Sequence, residues 1–309
     1  MKINNVEIEE TYAEGFGMYA SRILITAINL DWALKAASVA TGFATSTIHC
    51  DCEAGIDSII PANKTPDGRP GVSVIFCVQN KEKMEMVLLN RIGQCILTCS
   101  TTSCFDWMDE EKSKDPKTFE IKTGYKLKFF GDGFEEKSKI DWNGKEINIW
   151  KIPTMDGYFI VEDSFKVAKV AGGGNFIVFS NDIENLLKAC QSATDKMKNI
   201  EGIILPFPCG FVRSPSKIGS LKYSKFLNAS INHPLIPLLK SKINDSTVPD
   251  GATVGVEFVI NGLNEQLVKK AMREGILELV KHKGIIKITA GNYGGKLGKI
   301  FYHLKEIVE

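Results

Sequence analysis

Two stretches decide the fold. The first is Pro66-Asp67-Gly68, then Gly71-Val72-Ser73-Val74-Ile75, then Asn80; the second is Pro249-Asp250-Gly251, then Gly255-Val256-Glu257-Phe258-Val259, then Asn264. Allowing one residue of slack, they share one pattern of turn, strand and helix start. Each strand leads into a helical pattern carrying an arginine and then a glycine, Arg91 and Gly93 in the first copy, Arg273 and Gly275 in the second. A short apolar strand follows in both. Upstream, Arg22-Ile23-Leu24-Ile25-Thr26 matches Asn175-Phe176-Ile177-Val178-Phe179 in type. In the helical patterns that follow, Leu34-Lys35-Ala36 falls on Leu187-Lys188-Ala189; then come Gly42 and Gly202 and another apolar run.

Each half therefore reads strand–helix–strand, strand–helix–strand, the split βαβ order. The fold class expected is α+β: two ferredoxin-like lobes from an internal duplication, each an open sheet with helices on one face, with an inserted antiparallel ribbon region. The lobes are expected at residues 1–147 and 148–309, the second carrying Glu257. The best-defined helix opens at Asn264, with Glu265 in its first turn. Leu267, Val268, Ala271, Met272, Ile276, Leu279 and Val280 form its apolar stripe, and Gly284 marks its end. Between the halves, Asp109–Pro116 reads as a charged solvated loop. Strands are expected at Tyr125–Phe130, Ile147–Ile152 and Tyr158–Val161, with Asn143-Gly144 as a hairpin turn. Residues 214–250 are polar and punctuated by Pro215, Pro234, Pro237 and Pro249, and form a long connection that the first lobe lacks.

Composition narrows the function. Over 309 residues, 38 Lys and Arg against 37 Asp and Glu leave +1. The basic excess of a nucleic-acid binder is missing, as is a polybasic membrane anchor. No apolar run reaches the length of a membrane span, and the acidic N-terminus lacks a signal core. A cytoplasmic protein with no membrane or nucleic-acid partner is expected, its eight cysteines reduced thiols. No Cys-x-x-Cys pair occurs, and His49, His233, His282 and His303 are scattered, so no metal site is expected.

The chemistry-bearing candidates are few. Glu257 stands in mid-strand, with Val254, Val256, Phe258 and Ile260 on the other face; the matching residue of the first copy is Ser73. Such a carboxyl is either a solvent-facing strand residue or an acid on a partly dry surface, where desolvation raises its pKa toward neutrality. Ala171-Gly172-Gly173-Gly174-Asn175 precedes a strand, and Gly291-Asn292-Tyr293-Gly294-Gly295-Lys296-Leu297-Gly298 follows one. Neither fits a dinucleotide or phosphate-loop fingerprint; glycine there permits tight turns and close backbone approach. Pro206-Phe207-Pro208-Cys209-Gly210-Phe211-Val212-Arg213-Ser214-Pro215-Ser216-Lys217 offers two cations and two hydroxyls after a strand, suited either to an anionic ligand group or to a surface turn. No serine sits in a nucleophile elbow.

Longer motifs add a resemblance. They are Ile8-Glu9-Glu10-Thr11-Tyr12-Ala13-Glu14, Glu53-Ala54-Gly55-Ile56-Asp57, Thr65-Pro66-Asp67-Gly68-Arg69-Pro70-Gly71, Arg91-Ile92-Gly93-Gln94-Cys95 and Phe129-Phe130-Gly131-Asp132-Gly133. Phe159-Ile160-Val161-Glu162-Asp163-Ser164-Phe165, Pro206-Phe207-Pro208, Val259–Glu265 and Ala290–Gly298 continue the series. With these, the chain resembles the formylmethanofuran:tetrahydromethanopterin formyltransferases, enzymes of one-carbon metabolism in methanogenic and related archaea. It departs from them at Cys52, where family members carry proline, at Cys209, where they carry glycine, and at Phe134, where they carry tyrosine.

The resemblance implies reversible transfer of a formyl group from the amine of methanofuran to N-5 of tetrahydromethanopterin, through a tetrahedral intermediate. It implies no prosthetic group, both pterin and methanofuran being substrates, and a homo-oligomer, dimer or tetramer. The family's mechanistically important glutamate falls on Glu257. Asn261 and the Gly294-Gly295 loop are then candidate oxyanion donors. Arg213, Ser214, Lys217, Arg69 and Lys296 are candidates to hold the anionic substrate tails. The competing reading is a non-catalytic, formyltransferase-like subunit of a formyl hydrolase complex.

Overall fold

The structure, a computed structural model, describes residues 1–213 and 216–309. The chain forms two compact units. One comprises Met1–Gly17, Thr45–Cys50 and Ala171–Glu309, the other Met18–Ala44 and Asp51–Val170. The division therefore does not fall at 147/148. It cuts two long strands, Tyr12–Thr26 and Phe165–Ser180, each of which begins in one unit and ends in the other. Neither strand carries a Pro or a polar break where it crosses, so the sequence has no linker to show there.

In the unit of residues 18–170, the central strand 18–26 pairs antiparallel with Gly71–Val78 on one side and Ser103–Asp106 on the other. Glu53–Ile60 adds beyond Gly71–Val78. In chain order that is 2-3-1-4, the ferredoxin-like arrangement. Helices Leu30–Thr41 and Met84–Arg91 supply Ala33, Ala36, Ala37, Ala40, Val87 and Leu88 to a core with Ile23, Ile25, Val72, Val74 and Phe76. Gly157–Glu162 extends this sheet in parallel with Ser103–Asp106, followed by Lys145–Thr154 and Glu136–Trp142, both antiparallel. Asn143 and Gly144 turn between the last two with φ of 54° and 75°, the positive pair that a two-residue hairpin requires.

The other unit repeats the design. Residues 171–180 pair with Val254–Gly262 and Ile285–Thr289, and Ile203–Ile204 adds beyond Val254–Gly262, again in the order 2-3-1-4. Helices Ile183–Lys198 and Glu265–Leu279 cover one face; Leu186, Ala189, Ala193 and Met197 meet Val268, Ala271, Met272 and Ile276. Both helices open as their sequences require. Asp182 accepts from the Asn185 N–H at 2.7 Å and Asn264 from the Leu267 N–H at 2.9 Å. Here too a parallel strand extends the sheet at its far edge, Val6–Ile8 beside Ile285–Thr289. The ladders prove the duplication: Leu24 faces Ser73 as Ile177 faces Glu257, and Arg22 faces Ile75 as Asn175 faces Val259.

Three local expectations change. Tyr125–Phe130 is not a strand but a helical turn, Thr123–Leu127, running into the tighter Lys128–Gly131. Gly124 and Leu127 are buried at helical spacing, and a Cβ on Gly124 would lie 1.9 Å from the Glu162 carbonyl oxygen. Asp109–Pro116 is not all loop: Asp109 caps a short helix, Glu110–Lys114, through the Lys112 N–H at 2.7 Å. Ala171–Asn175 does not precede a strand but forms an irregularity within one. Gly173 adopts φ of 80° there, and a Cβ on Gly174 would meet the Val268 side chain at 2.3 Å.

Two residues carry stability consequences. In the 18–170 unit, Arg22 donates to Asp57 at 2.5 and 2.8 Å and to Ser73 at 3.1 Å, with almost no solvent access. Asp57→Asn takes the negative charge out of this buried pair and should lower the unfolding free energy in urea by roughly 1.5–3 kcal/mol. In the other unit, Cys209 is exposed and sits at φ of 58°, a left-handed conformation that suits glycine. Cys209→Gly should raise the unfolding free energy by roughly 0.5–1 kcal/mol, the relief of strain exceeding the added backbone entropy.

Candidate active site

Alternation along Val254–Gly262 turns Val256, Phe258 and Ile260 to the helix-covered core, where the Phe258 and Phe176 rings stack at 4.7 Å. Glu257 and Val259 face the other way, directly opposite Ile177 and Asn175. That second face is covered by the long connection, whose Leu235 and Val248, with Ala252 just beyond it, pack on Ile177 and Phe179. The outer edge at Glu257 is closed by Val212, each residue's N–H donating to the other's carbonyl at 2.8 Å. The Glu257 backbone is thus fixed on both sides.

Its carboxyl group keeps a little solvent access, yet protein crowds it, and among the described residues no donor reaches it. Burial alone pushes its pKa up to about 8. A carboxyl group poised there accepts and returns a proton near neutral pH. This favours the partly dry surface over the solvent-facing strand.

The loop after Ile285–Thr289 covers the same face. Asn175 holds its start through both amide atoms, accepting from the Gly291 N–H at 2.7 Å and donating to the Gly291 carbonyl at 3.2 Å. Further on, the loop wraps the buried Glu14 carboxylate. Tyr293 and Gly295 donate backbone N–H groups to Oε1, the latter at 2.7 Å; Leu297 and Gly298 donate to Oε2 at 2.8 and 3.4 Å. Burial would raise the Glu14 pKa, but these four donors outweigh it and hold it below the ordinary value. The Tyr293 hydroxyl donates to the Ser216 carbonyl at 2.9 Å. Burial, then the charges of Glu257 and Glu14, push its pKa up to about 12, so it stays a neutral donor.

The other residues singled out in the sequence divide. Glu257, Gly294, Gly295, Lys296, Arg213 and Lys217 belong to one unit, as does Asn261. Asn261 is fully buried, and its amide oxygen accepts from the Gly173 N–H at 3.1 Å, which braces the strand irregularity. The Gly295 N–H is taken by Glu14. The Gly295 N–H is therefore not open to an oxyanion, and Asn261 has no solvent access. Among the described residues, the Gly294 and Lys296 N–H groups have no protein acceptor, and both residues are exposed. Lys217 Nζ lies 3.2 Å from His233 Nδ1, whose Nε2 lies 3.1 Å from Asp245. Arg213 is exposed, and Ser214 lies outside the described residues. Arg69 belongs to the other unit. There it pairs with Asp67 at 2.8 Å and donates to Ser103 Oγ at 2.6 Å and Thr26 Oγ1 at 3.2 Å, so its guanidinium is spent on structure.

Glu14 and Tyr293 carry the site's architecture without having been singled out individually. Glu14 has one sequence signal, its place between Ala13 and Gly15 in the apolar and small stretch Tyr12–Ala20. Among the described residues, no group of three or more His, Cys, Asp or Glu side chains is placed to hold a metal ion.

Residues 1–154 match the family described as formylmethanofuran-tetrahydromethanopterin formyltransferase, and residues 157–307 match that family's proximal lobe. The formylmethanofuran–tetrahydromethanopterin formyltransferase of Methanocaldococcus jannaschii is 45% identical over 311 residues, covering 100% of both chains. The solved formyltransferase of Methanosarcina barkeri superposes with a TM-score of 0.91 at 44% identity, covering 99% of this chain and 100% of the other. A chain of the formyltransferase/hydrolase complex of Methylorubrum extorquens, solved with methylofuran, gives 0.93 at 38% identity, covering 100% and 99%. With both lobes matched in order and relatives similar over their full length, the chain belongs to the formylmethanofuran–tetrahydromethanopterin formyltransferase family.

Proposed function

We propose that this chain transfers the formyl group of formylmethanofuran to N-5 of tetrahydromethanopterin, reversibly, with the Glu257 carboxyl group as proton relay. The observation that carries the assignment to Glu257 is its place: mid-strand on the face covered by the glycine-rich loop and the long connection, with no donor to its carboxyl group among the described residues, so that burial raises its pKa to about 8. The activity itself is that named for the full-length relatives.

The chemistry follows from the acid. The pterin nitrogen attacks the formyl carbon, forming the new C–N bond and a tetrahedral intermediate. The attacking nitrogen gives its proton to the Glu257 carboxylate. As the old C–N bond breaks, Glu257 returns that proton to the departing methanofuran amine, which leaves neutral. The proton count closes, and no covalent formyl-enzyme is needed; holding both amines together supplies much of the acceleration. Among the described residues, the Gly294 and Lys296 N–H groups have no protein acceptor and are candidate donors for the oxyanion. Lys296, Lys217 and Arg213 are cations suited to anionic substrate tails.

The reading includes a cytoplasmic homo-oligomer, dimer or tetramer, working without a prosthetic group, with the family resemblance as its support. Among the described residues, no helix is long and apolar enough to cross a membrane. The similarity to a chain of a formyltransferase/hydrolase complex favours a second reading, a subunit that scaffolds a formyl hydrolase. The purified chain acting alone separates the two, since a scaffold forms no formyl-pterin.

Two outcomes are expected. In a spectrophotometric transfer assay, Glu257→Gln should lower turnover roughly 10²–10⁴-fold; near-normal turnover rejects the relay. The same variant should change stability with pH. The wild-type carboxyl group, at about 8 against a reference of 4.5, holds its proton more tightly folded than unfolded. Stability is therefore lost as pH rises from the lower value through the higher. Glu257→Gln removes that loss, so at pH 9 the variant should unfold with a free energy higher by a few kcal/mol, on the order of 3–5. Near pH 4 the two should melt together.

A further inference from the structure

Glu14 takes no part in the proton transfers above, yet it is fully buried and gathers four backbone N–H groups from one loop. A carboxylate removed from water must recover its solvation from the protein. Here the donors lie within six residues, and the chain curls around the charge at Gly294 and Gly295, with φ of 68° and 76°. The loop is anchored at both ends. Asn175 grips Gly291, and Gly298 lies so close to Gly15 that a Cβ there would stand 2.0 Å from the Gly15 carbonyl oxygen. Residues 300–303 then pair with the strand that carries Glu14, Phe301 directly opposite it.

The loop lies on the face that bears Glu257, because Asn175 neighbours Ile177 there, opposite Val259 and Glu257. Tyr293 lies within electrostatic reach of both carboxyl groups. The titratable and charged groups on the elements around Glu257 include Tyr293 and Lys296 of the loop, Glu14 within it, Arg213 beside Val212, and, on the connection, Lys217 with His233 and Asp245, and the Lys240–Asp250 pair. The facing strand offers only Ile177, Asn175 and Phe179.

We propose that Glu14 is a positioning residue for formyl transfer: its carboxylate folds the Gly291–Gly298 loop into the shape that keeps Tyr293 beside Glu257 and water away from the Glu257 carboxyl group. The proposal rests on Glu257 being the proton relay. Glu14→Gln keeps the shape but replaces one acceptor oxygen by an NH₂ that faces two N–H donors, so half the clasp is lost. Gly295→Ala is the second probe. It keeps Glu14 and all its donors but puts a side chain on a left-handed backbone, with the nearest atoms 3.7 Å away.

The experiment measures transfer turnover against pH, together with amide hydrogen exchange, for wild type, both variants and Glu257→Gln, each first shown to be folded by its melt. In Glu14→Gln, the amides of Tyr293, Gly295, Leu297 and Gly298 should exchange at least about tenfold faster. The acid limb of the turnover profile should move down by about one pH unit or more, toward an ordinary carboxyl group. Gly295→Ala should do the same to a smaller extent, and it decides the matter alone if Glu14→Gln does not fold. Unchanged exchange, or a loosened loop with the limb in its wild-type place, overturns the positioning role. Glu257→Gln tests the underlying reading separately: it should lose the limb altogether, and if it keeps both turnover and limb the relay fails whatever Glu14 does.

Discussion

Taking a carboxylate out of water costs several kcal/mol unless the protein restores its solvation. This chain meets that constraint in different ways, and the site follows from the differences. Asp57 is given a guanidinium, that of Arg22. Glu14 is given four backbone N–H groups and stays ionised. Glu257 is given neither among the described residues, so it holds its proton up to about 8. Glu162, in the other unit, also reaches about 8, through burial first and the nearby Asp106 charge second. It accepts the Asp106 N–H at 2.9 Å beside the Asp106–Lys166 ion pair. A raised pKa is therefore not enough to mark a site. What sets Glu257 apart is its place on a face organised by a glycine-rich loop and a long connection, rather than within an ion-pair network.

The duplication sharpens the contrast. Arg22 and Ser73 occupy the registers that Asn175 and Glu257 occupy in the other unit. In one copy those positions hold a cation and a hydroxyl joined to Asp57, which sits at a register shift in the neighbouring strand. In the other they hold an amide that grips a loop and an acid left short of donors. One scaffold thus supports either a closed, neutralised network or a poised proton carrier. The choice depends on whether a counter-charge stands across the ladder.

The sequence revealed the repeated strand–helix order because caps and apolar stripes are local: Asn264 and Gly284 bracket their helix whatever surrounds it. It also revealed Glu257, since a carboxyl group in an apolar strand stands out. Glu14 was not legible as a functional residue, because its partners lie 279 to 284 residues away and are backbone groups with no side-chain identity to read. Asn261 and Gly295 invited the opposite error. Their donors suggested ligand contacts, while the fold turns both residues inward: the Asn261 amide oxygen accepts from the Gly173 N–H, and the Gly295 N–H donates to Glu14. Arg69 looked like a free cation for the same reason. The Tyr125–Phe130 segment alternates well enough for a strand, but close packing at Gly124 selects the helical turn.

Building the loop on backbone donors also divides its labour. Backbone N–H groups of Tyr293, Gly295, Leu297 and Gly298 fix its course on Glu14, and of the loop's polar side chains Asn292 adds a bond to Thr11 Oγ1 at 2.9 Å. Other side chains remain available: the Tyr293 hydroxyl ties the loop to Ser216, where the Ser216–Ile218 strand begins, and the exposed Lys296 points a cation at solvent. A loop held by side chains would have placed those groups inside. The glycines at 294 and 295 are what make the inward course possible, since any other residue at φ near 70° is strained. The same buried charge therefore fixes the wall around Glu257 and leaves its outer surface to chemistry that can vary without disturbing the clasp.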